Sequence, residues 1–248
     1  MINPKLHTQP VALDREQHKA LRLAPLPDWA VAARLNALFI AGVEFGDACH
    51  EYPIVFLRAG ESEAGKAQAA PVAVFGLRPD DNLYLQGGQW RAQYVPALLR
   101  AYPFAIARMD AERYAVCIDM ACPGLSQSGG QALFGEDGQP LEFLQNMQQQ
   151  LQQIEGEIQR TRAFGEMLLA HDLLQDMRFD ADLPDGKKLT VDGFLTVDEK
   201  RLSELSDADT LALCRNGALG LIHAHQLSLK HMSRLVQWQQ ARSAGAGD

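Results

Sequence analysis

The stretch Trp90–Asp119, WRAQYVPALLRAYPFAIARMDAERYAVCID, constrains the chain most, because it sets a helical repeat, a proline corner and two alternating strands end to end. Tyr94, Leu98 and Tyr102 recur every four residues with Val95 and Leu99 beside them, which predicts a short amphipathic helix with Arg100 off its apolar stripe. Pro103 disfavours the helical conformation at Tyr102, so the helix is expected to stop there. Beyond it, Phe104, Ile106 and Arg108 share one side and Ala105, Ala107 and Met109 the other, as a strand requires. Asp110–Glu112 is short enough for a hairpin turn. The returning strand RYAVCID places Tyr114, Val116 and Ile118 on one face and Arg113, Ala115, Cys117 and Asp119 on the other.

With 248 residues, 47% of them hydrophobic, the chain has the material for a full core. A net charge of -8 argues against a nucleic-acid groove or a patch for anionic membranes, since both need clustered Lys and Arg. Cys49, Cys117, Cys122 and Cys214 show no paired spacing and mostly apolar surroundings, which predicts reduced thiols. The start, MINPKLHTQPVALDREQHK, lacks the apolar core of a secretory signal, so a cytoplasmic location is expected. No segment approaches the roughly 20 uninterrupted apolar residues of a membrane-spanning helix.

Read in order, residues 1–37 form an extended N-terminal arm punctuated by Pro4, Pro10, Pro25 and Pro27 and expected on the surface. Residues 38–140 are strand-rich: LFIAGVE over Leu38–Glu44, a helical turn FGDACHEY, then PIVFLRA, a polar loop GESEAGKAQAA, VAVFGL and NLYL before a Gly87-Gly88 turn. Residues 141–241 carry long helices and a small hairpin. The first helix spans about Leu141–Asp176, with Leu144, Met147, Leu151, Ile154, Ile158, Thr161, Gly165 and Leu168 as a heptad seam. MRFDADLP and KKLTVDGFLTVD then pair around Asp185-Gly186. A second helix over about Asp207–Ala241 has the stripe Leu211, Cys214, Ala218, Ile222, His225, Leu229, Met232 and Val236. Gly165 and Ala218 are small enough to bring the two helices together, or the first seam closes a homodimer. Residues 242–248 are expected to be a disordered tail. The fold class expected is α+β: mainly antiparallel sheet with a short central helix, plus two long C-terminal helices packed as a pair, all in one integrated domain.

Few motifs carry chemistry. His223, His225 and His231 do not share a helix face, since the first two lie about 200° apart around the axis. No metal site is expected. His225 sits on the apolar stripe and is read as a buried, hydrogen-bonded imidazole. DADLPDG departs from a calcium loop, and GLSQSGG is not a nucleophile elbow. Glu44, Arg100 and Asp119 are charges in apolar settings that need partners, so Arg100 is expected to pair with Asp119 or Glu44.

Taken together, EFGDACHEYPIVF, NLYL with Trp90 behind it, YVPALLRAYPF, AVCID, LFGEDGQP, DGFLTVDEKRLSEL and IHAHQLSL resemble the successive motifs of the bacterial SapC family, across almost the whole chain. By this resemblance Glu44, Tyr52, Pro53, Trp90, Tyr94, Pro96, Arg100, Tyr102, Pro103, Phe104, Asp119, His225 and Ser228 occupy the family's recognisable positions. The family name derives from a link to bacterial surface-layer proteins and brings no catalytic set, so the resemblance implies an accessory role at the envelope. SapC-like proteins are also associated with uptake systems built on TonB-dependent receptors and with flavin-dependent halogenase-like proteins, which implies a cytoplasmic helper.

Two readings follow. In the first, a non-enzymatic binding or accessory protein offers a pocket drawn from Glu44, Trp90, Tyr94, Arg100, Tyr102, Asp119, His225 and Ser228, and a helical surface for a protein partner or a second copy. A small-molecule ligand fits that reading, and no cofactor is expected. In the second, the same residues converge as an enzyme site, with His225 as acid or base, Arg100 binding an anion and Glu44 or Asp119 orienting one of them.

Overall fold

Antiparallel pairing organises the chain into an α+β fold. The computed structural model describes residues 1–61, 65, 67–109, 114–182 and 188–245. The first part contains β1 (Pro10–Ala12), β2 (Arg22–Leu23), β3 (Ala37–Phe39), α1 (Phe45–Ala48), β4 (Ile54–Glu61) and β5 (Ala67–Val74). Short 3-10 turns at Ala30–Ala32 and Gly42–Glu44 flank β3. Then come β6 (Leu85–Gln86), β7 (Gln89–Trp90), α2 (Ala97–Arg100), β8 (Phe104–Arg108), β9 (Tyr114–Asp119), β10 (Leu125–Ser126) and β11 (Gln131–Ala132). The last part holds α3 (Glu142–Ala170), β12 (Leu174–Asp182), β13 (Lys188–Val197), α4 (Glu199–Ser203), α5 (Asp207–Arg215), α6 (Ala218–Ser228) and α7 (His231–Gly245).

The main sheet has the order β12-β13-β4-β5-β3. It combines the early strands with the late hairpin, so its core includes residues from both ends of the chain, from Leu35 and Phe56 to Leu195 and Ile222. A smaller sheet, β1-β9-β8, contains the Phe104–Asp119 hairpin in the register the alternation predicts, Phe104 facing Ile118 and Arg108 facing Tyr114. Its turn, Asp110–Glu112, lies outside the described residues, as does the Asp185-Gly186 turn of the β12–β13 hairpin.

Several expectations change. The arm lies along the surface but is tied down: β1 pairs with β9, β2 is held between β10 and β11, and Leu6 and Leu21 are buried. The expected Leu38–Glu44 strand ends at Phe39, and Glu44 closes a 3-10 turn instead. The helix expected over Tyr94–Tyr102 is a single turn, because Pro96 lies extended at its start and disfavours helix at Val95 just as Pro103 does at Tyr102. β4 and β5 extend into the segment read as a polar loop, of which residues 62–64 and 66 lie outside the described residues.

The helical pair is the largest correction. α3 stops at Ala170, six residues short of the expected end, where Asp172 adopts a left-handed conformation (φ 52°) and releases the chain into β12. The second helix is three helices. Gly217 at φ 80° breaks α5 from α6, and the rotation turns Leu211 and Cys214 outward while Leu213 points in. The expected tail is helical as far as Gly245, with Arg242 paired to Asp81, and residues 246–248 lie outside the described residues.

The α3 seam is buried, but by strands within the same chain. Leu144 and Leu151 pack in a cluster with Phe104, Ile106 and Ile118, whereas Phe164 and Leu168 join the main core. A Cβ on Gly165 would stand 2.0 Å from the Ala69 carbonyl oxygen of β5. Its smallness therefore serves approach to the sheet, not to Ala218. Gly→Ala inside a helix ordinarily stabilises by about 1 kcal/mol. Here the methyl has no room, and Gly165→Ala is expected to destabilise by about 1–3 kcal/mol, read as a lower midpoint in urea denaturation. A raised midpoint would show that α3 does not sit this close to β5.

Candidate functional site

Glu44 is buried at the end of its 3-10 turn, and its carboxylate is fully engaged. Oε2 accepts from the Ala41 N–H at 3.0 Å, while Oε1 accepts from the Tyr94 hydroxyl and the Ala97 N–H, both at 2.7 Å. The carboxylate thus ties the turn after β3 to the start of α2. Burial, with the hydrogen bond to Glu44 next, pushes the Tyr94 phenol above its ordinary range. From the same turn, the Gly42 N–H donates to Thr161 Oγ1 at 2.8 Å and fastens it to α3.

Arg100 is not the partner of Glu44 or Asp119. It is exposed, its guanidinium lies 5.6 Å from the centre of the Tyr94 ring, and among the described residues it meets no carboxylate. Arg100 lies off the face of α2 that buries Leu99, so its side chain leaves toward solvent.

Trp90 belongs to an aromatic chain. Its indole N–H donates to the Tyr52 hydroxyl at 2.8 Å, and Tyr52 donates to the Tyr94 carbonyl. Trp90 stacks on Tyr84 at 5.9 Å, and Tyr84 meets Trp238 edge-on at 5.1 Å. Burial pushes the Tyr52 phenol far above its ordinary range, which keeps it a neutral donor.

Asp119 and Tyr102 make a separate buried pair. Tyr102 donates to Oδ2 at 3.0 Å, and the carboxylate also accepts from the Gln9 N–H at 2.6 Å and the Thr8 N–H at 3.3 Å. Asp119 therefore anchors the N-terminal arm. Burial and this carboxylate raise the Tyr102 phenol.

His225 is completely buried between β4 and β13. Nδ1 donates to the Ile54 carbonyl at 2.7 Å, so Nε2 is the acceptor, taking the Val197 N–H at 3.1 Å and facing Thr196 Oγ1 at 3.0 Å. Ser228 completes the join: its hydroxyl accepts from the Ile54 N–H at 2.9 Å and donates to the His225 carbonyl at 2.5 Å. Together they pin α6 to the sheet through main-chain groups.

The eight residues singled out in the sequence therefore do not share one pocket. Glu44, Tyr94 and Trp90 connect through Tyr52, Tyr102 joins Asp119, and His225 joins Ser228. Arg100 borders two clefts. One, of about 390 Å³, runs along the arm beside Tyr102 and Trp29, and the other, of about 590 Å³, lies between the Ala41–Glu44 turn, α2 and α3. The second adjoins a groove of about 470 Å³ toward α6, with Val43, Glu157 and Arg160 on both linings. Val43 is 68% exposed, an apolar side chain standing between the two. Sequence reasoning passed over Val43, and also Arg234 and Trp238, whose four-residue spacing on a helix was the available signal. Among the described residues no group of three or more His, Cys, Asp or Glu is placed to hold a metal ion.

Burial lowers the His225 pKa from 6.5 to about 4. The unfolded chain then takes up a proton first as pH falls, so stability is full above about pH 6.5 and is lost toward pH 4. Between pH 7 and pH 5 wild type is expected to lose about 2 kcal/mol more than His225→Gln in urea titrations. Buried His7 and half-buried His231, also shifted down, act alike in both proteins and cancel in the comparison. Equal losses would place His225 in a polar setting.

Searches of curated proteins and of solved structures return no significant match. No helix among the described residues is long and apolar enough to cross a membrane. A family profile described as SapC matches residues 13–235, which takes in every hydrogen bond of the Glu44, Trp90 and His225 networks, while Thr8 and Gln9, whose N–H groups bond Asp119, lie before it. The chain belongs to the SapC family.

Proposed function

We propose that this SapC-family chain is a non-enzymatic binding or accessory protein, serving envelope or nutrient-uptake systems, and that it binds through the cleft along α3. One observation carries the reading. Arg100, which forms no salt bridge among the described residues, stands at the rim of a cleft of about 590 Å³ next to exposed Val43, where the lining acids are already engaged, Glu44 by N–H groups and Tyr94 and Glu157 by Arg160. A cation without an acid, beside an apolar side chain at an open cleft, suits a ligand or partner segment that carries a carboxylate next to an apolar group. The buried polar residues support the non-enzymatic part. Glu44, Asp119, His225 and Ser228 each spend their hydrogen-bonding capacity on main-chain groups or a tyrosine, which leaves none poised to move a proton in that cleft.

The test is calorimetric titration with short peptides that set one Asp or Glu beside Leu or Val, against the same peptides carrying Asn or Gln. Binding is expected to weaken about tenfold for the amide peptides and for Arg100→Gln, with the melting temperature unchanged, because Arg100 is exposed. Peptides recovered with unaltered mass fit a binding protein, whereas conversion would overturn the non-enzymatic reading. Equal binding by acid and amide peptides would remove Arg100 from the site.

A further inference from the structure

The aromatic chain ends in a cluster whose charge is not balanced. On α7, Arg234, Trp238 and Arg242 follow one another at four-residue spacing and so share a face. Arg242 is paired with Asp81. Arg234 is not paired with an acid, and neither is Arg91, which reaches the same indole from the segment after β7: Arg91 Cζ lies 3.7 Å from the centre of the Trp238 ring and Arg234 Cζ lies 5.1 Å from it. Among the described residues neither guanidinium forms a salt bridge. The neighbouring acid, Glu51, gives its carboxylate to the Gln93 N–H at 3.2 Å and its main-chain carbonyl to Arg234 and Tyr84.

Packing explains only part of this. A guanidinium over an indole is a favourable contact, and one arginine on Trp238 would need no further account. Two are another matter, because like charges set against one ring repel, and acids outnumber Lys and Arg by 31 to 23 in this chain. Burial first, and the Arg234 charge second, hold the Arg91 pKa below the ordinary guanidinium value. Arg234 is held from one side: its Nη2 donates to the Tyr84 hydroxyl at 2.9 Å and to the Glu51 carbonyl, while its enclosed Nε has no acceptor. Tyr84 in turn donates to that carbonyl at 2.5 Å, so the hydroxyl is committed and cannot turn to another acceptor. Arg91 Nη1 donates to the Leu83 carbonyl at 3.4 Å, and its remaining guanidinium donors, with the fixed charge of Arg234, meet no protein anion among the described residues.

We propose that Arg91 and Arg234, set around Trp238, form a binding site for a phosphate-type oxyanion, either free or as the terminal group of a small molecule. Paired forks of N–H donors match the several oxygens and double charge of such a group better than they match a single carboxylate. The site is independent of the Arg100 cleft, and neither reading needs the other.

Calorimetric titration of the full chain at constant ionic strength tests it, with inorganic phosphate and glycerol 3-phosphate as ligands and succinate and chloride as controls. Saturable binding of phosphate or the phosphomonoester is expected, weakened about tenfold or more in Arg91→Gln. Arg91 is exposed, so this variant is expected to stay folded with at most a small drop in melting temperature from its lost contact with Trp238, even if Arg234→Gln, which loses an anchoring contact, fails to fold. Tighter binding of the phosphomonoester assigns the anion to a larger ligand, and equal binding assigns free phosphate. No saturable heat with either phosphate ligand, wild-type affinity in Arg91→Gln, or equal binding of succinate would overturn the proposal.

Discussion

The approach of α3 to β5 at Gly165 is the contact on which most of the molecule rests, since it places one helix over two cores. The C-terminal half of α3 covers the main sheet through Phe164 and Leu168, and the N-terminal half covers the Phe104–Ile118 hairpin through Leu144 and Leu151. A side chain at Gly165 would lift the helix from Ala69 and loosen both at once. The cleft beside Arg100 exists because α3 lies in this position, with the Ala41–Glu44 turn tied to it through Thr161.

Buried carboxylates then do the work that regular structure leaves undone. Short strands and one-turn helices leave many main-chain N–H groups without ladder partners, and each needs an acceptor. Glu44 satisfies Ala41 and Ala97, and Asp119 satisfies Thr8 and Gln9. His225 and Ser228 act in the same way toward Val197 and Ile54. These residues resemble an active site in the sequence because burying a polar group demands the same residue types as chemistry does. Their partners here are main-chain groups and tyrosine hydroxyls.

What was legible in the sequence was local. Alternation in FAIAR and YAVCID gives the β8–β9 hairpin its register, and the heptad seam marks the face of α3 that is buried. What the seam packs against was not legible, because a stripe of Leu and Ile is equally satisfied by a helix or by a sheet. Periodicity across Gly217 was misleading for a related reason: apolar residues at steps of three and four persist through a break that rotates the helix, so Leu211 and Cys214 kept the rhythm and lost the burial. The expected pairing of Arg100 failed because its side chain stands on the exposed face of α2, while Glu44 and Asp119 find main-chain and tyrosine donors. Of the eight-residue candidate pocket, Glu44, Tyr94 and Trp90 stand in one hydrogen-bonded chain, joined through Tyr52. The partnership of Arg91 and Arg234 joins residues too distant in the chain for any spacing rule to connect.

The break at Gly217 has a practical side. It turns Cys214 out to solvent, while Cys49, Cys117 and Cys122 are buried, with burial pushing each of those three thiols up and out of reach of reagents at neutral pH. Cys214 stands two residues before Asn216, Gly217 and Ala218, which line the groove between α3 and α6. The native protein therefore carries one addressable thiol at the edge of that groove. A maleimide dye attached there, with no engineered cysteine and no substitution in the core, would sense by its emission whatever enters.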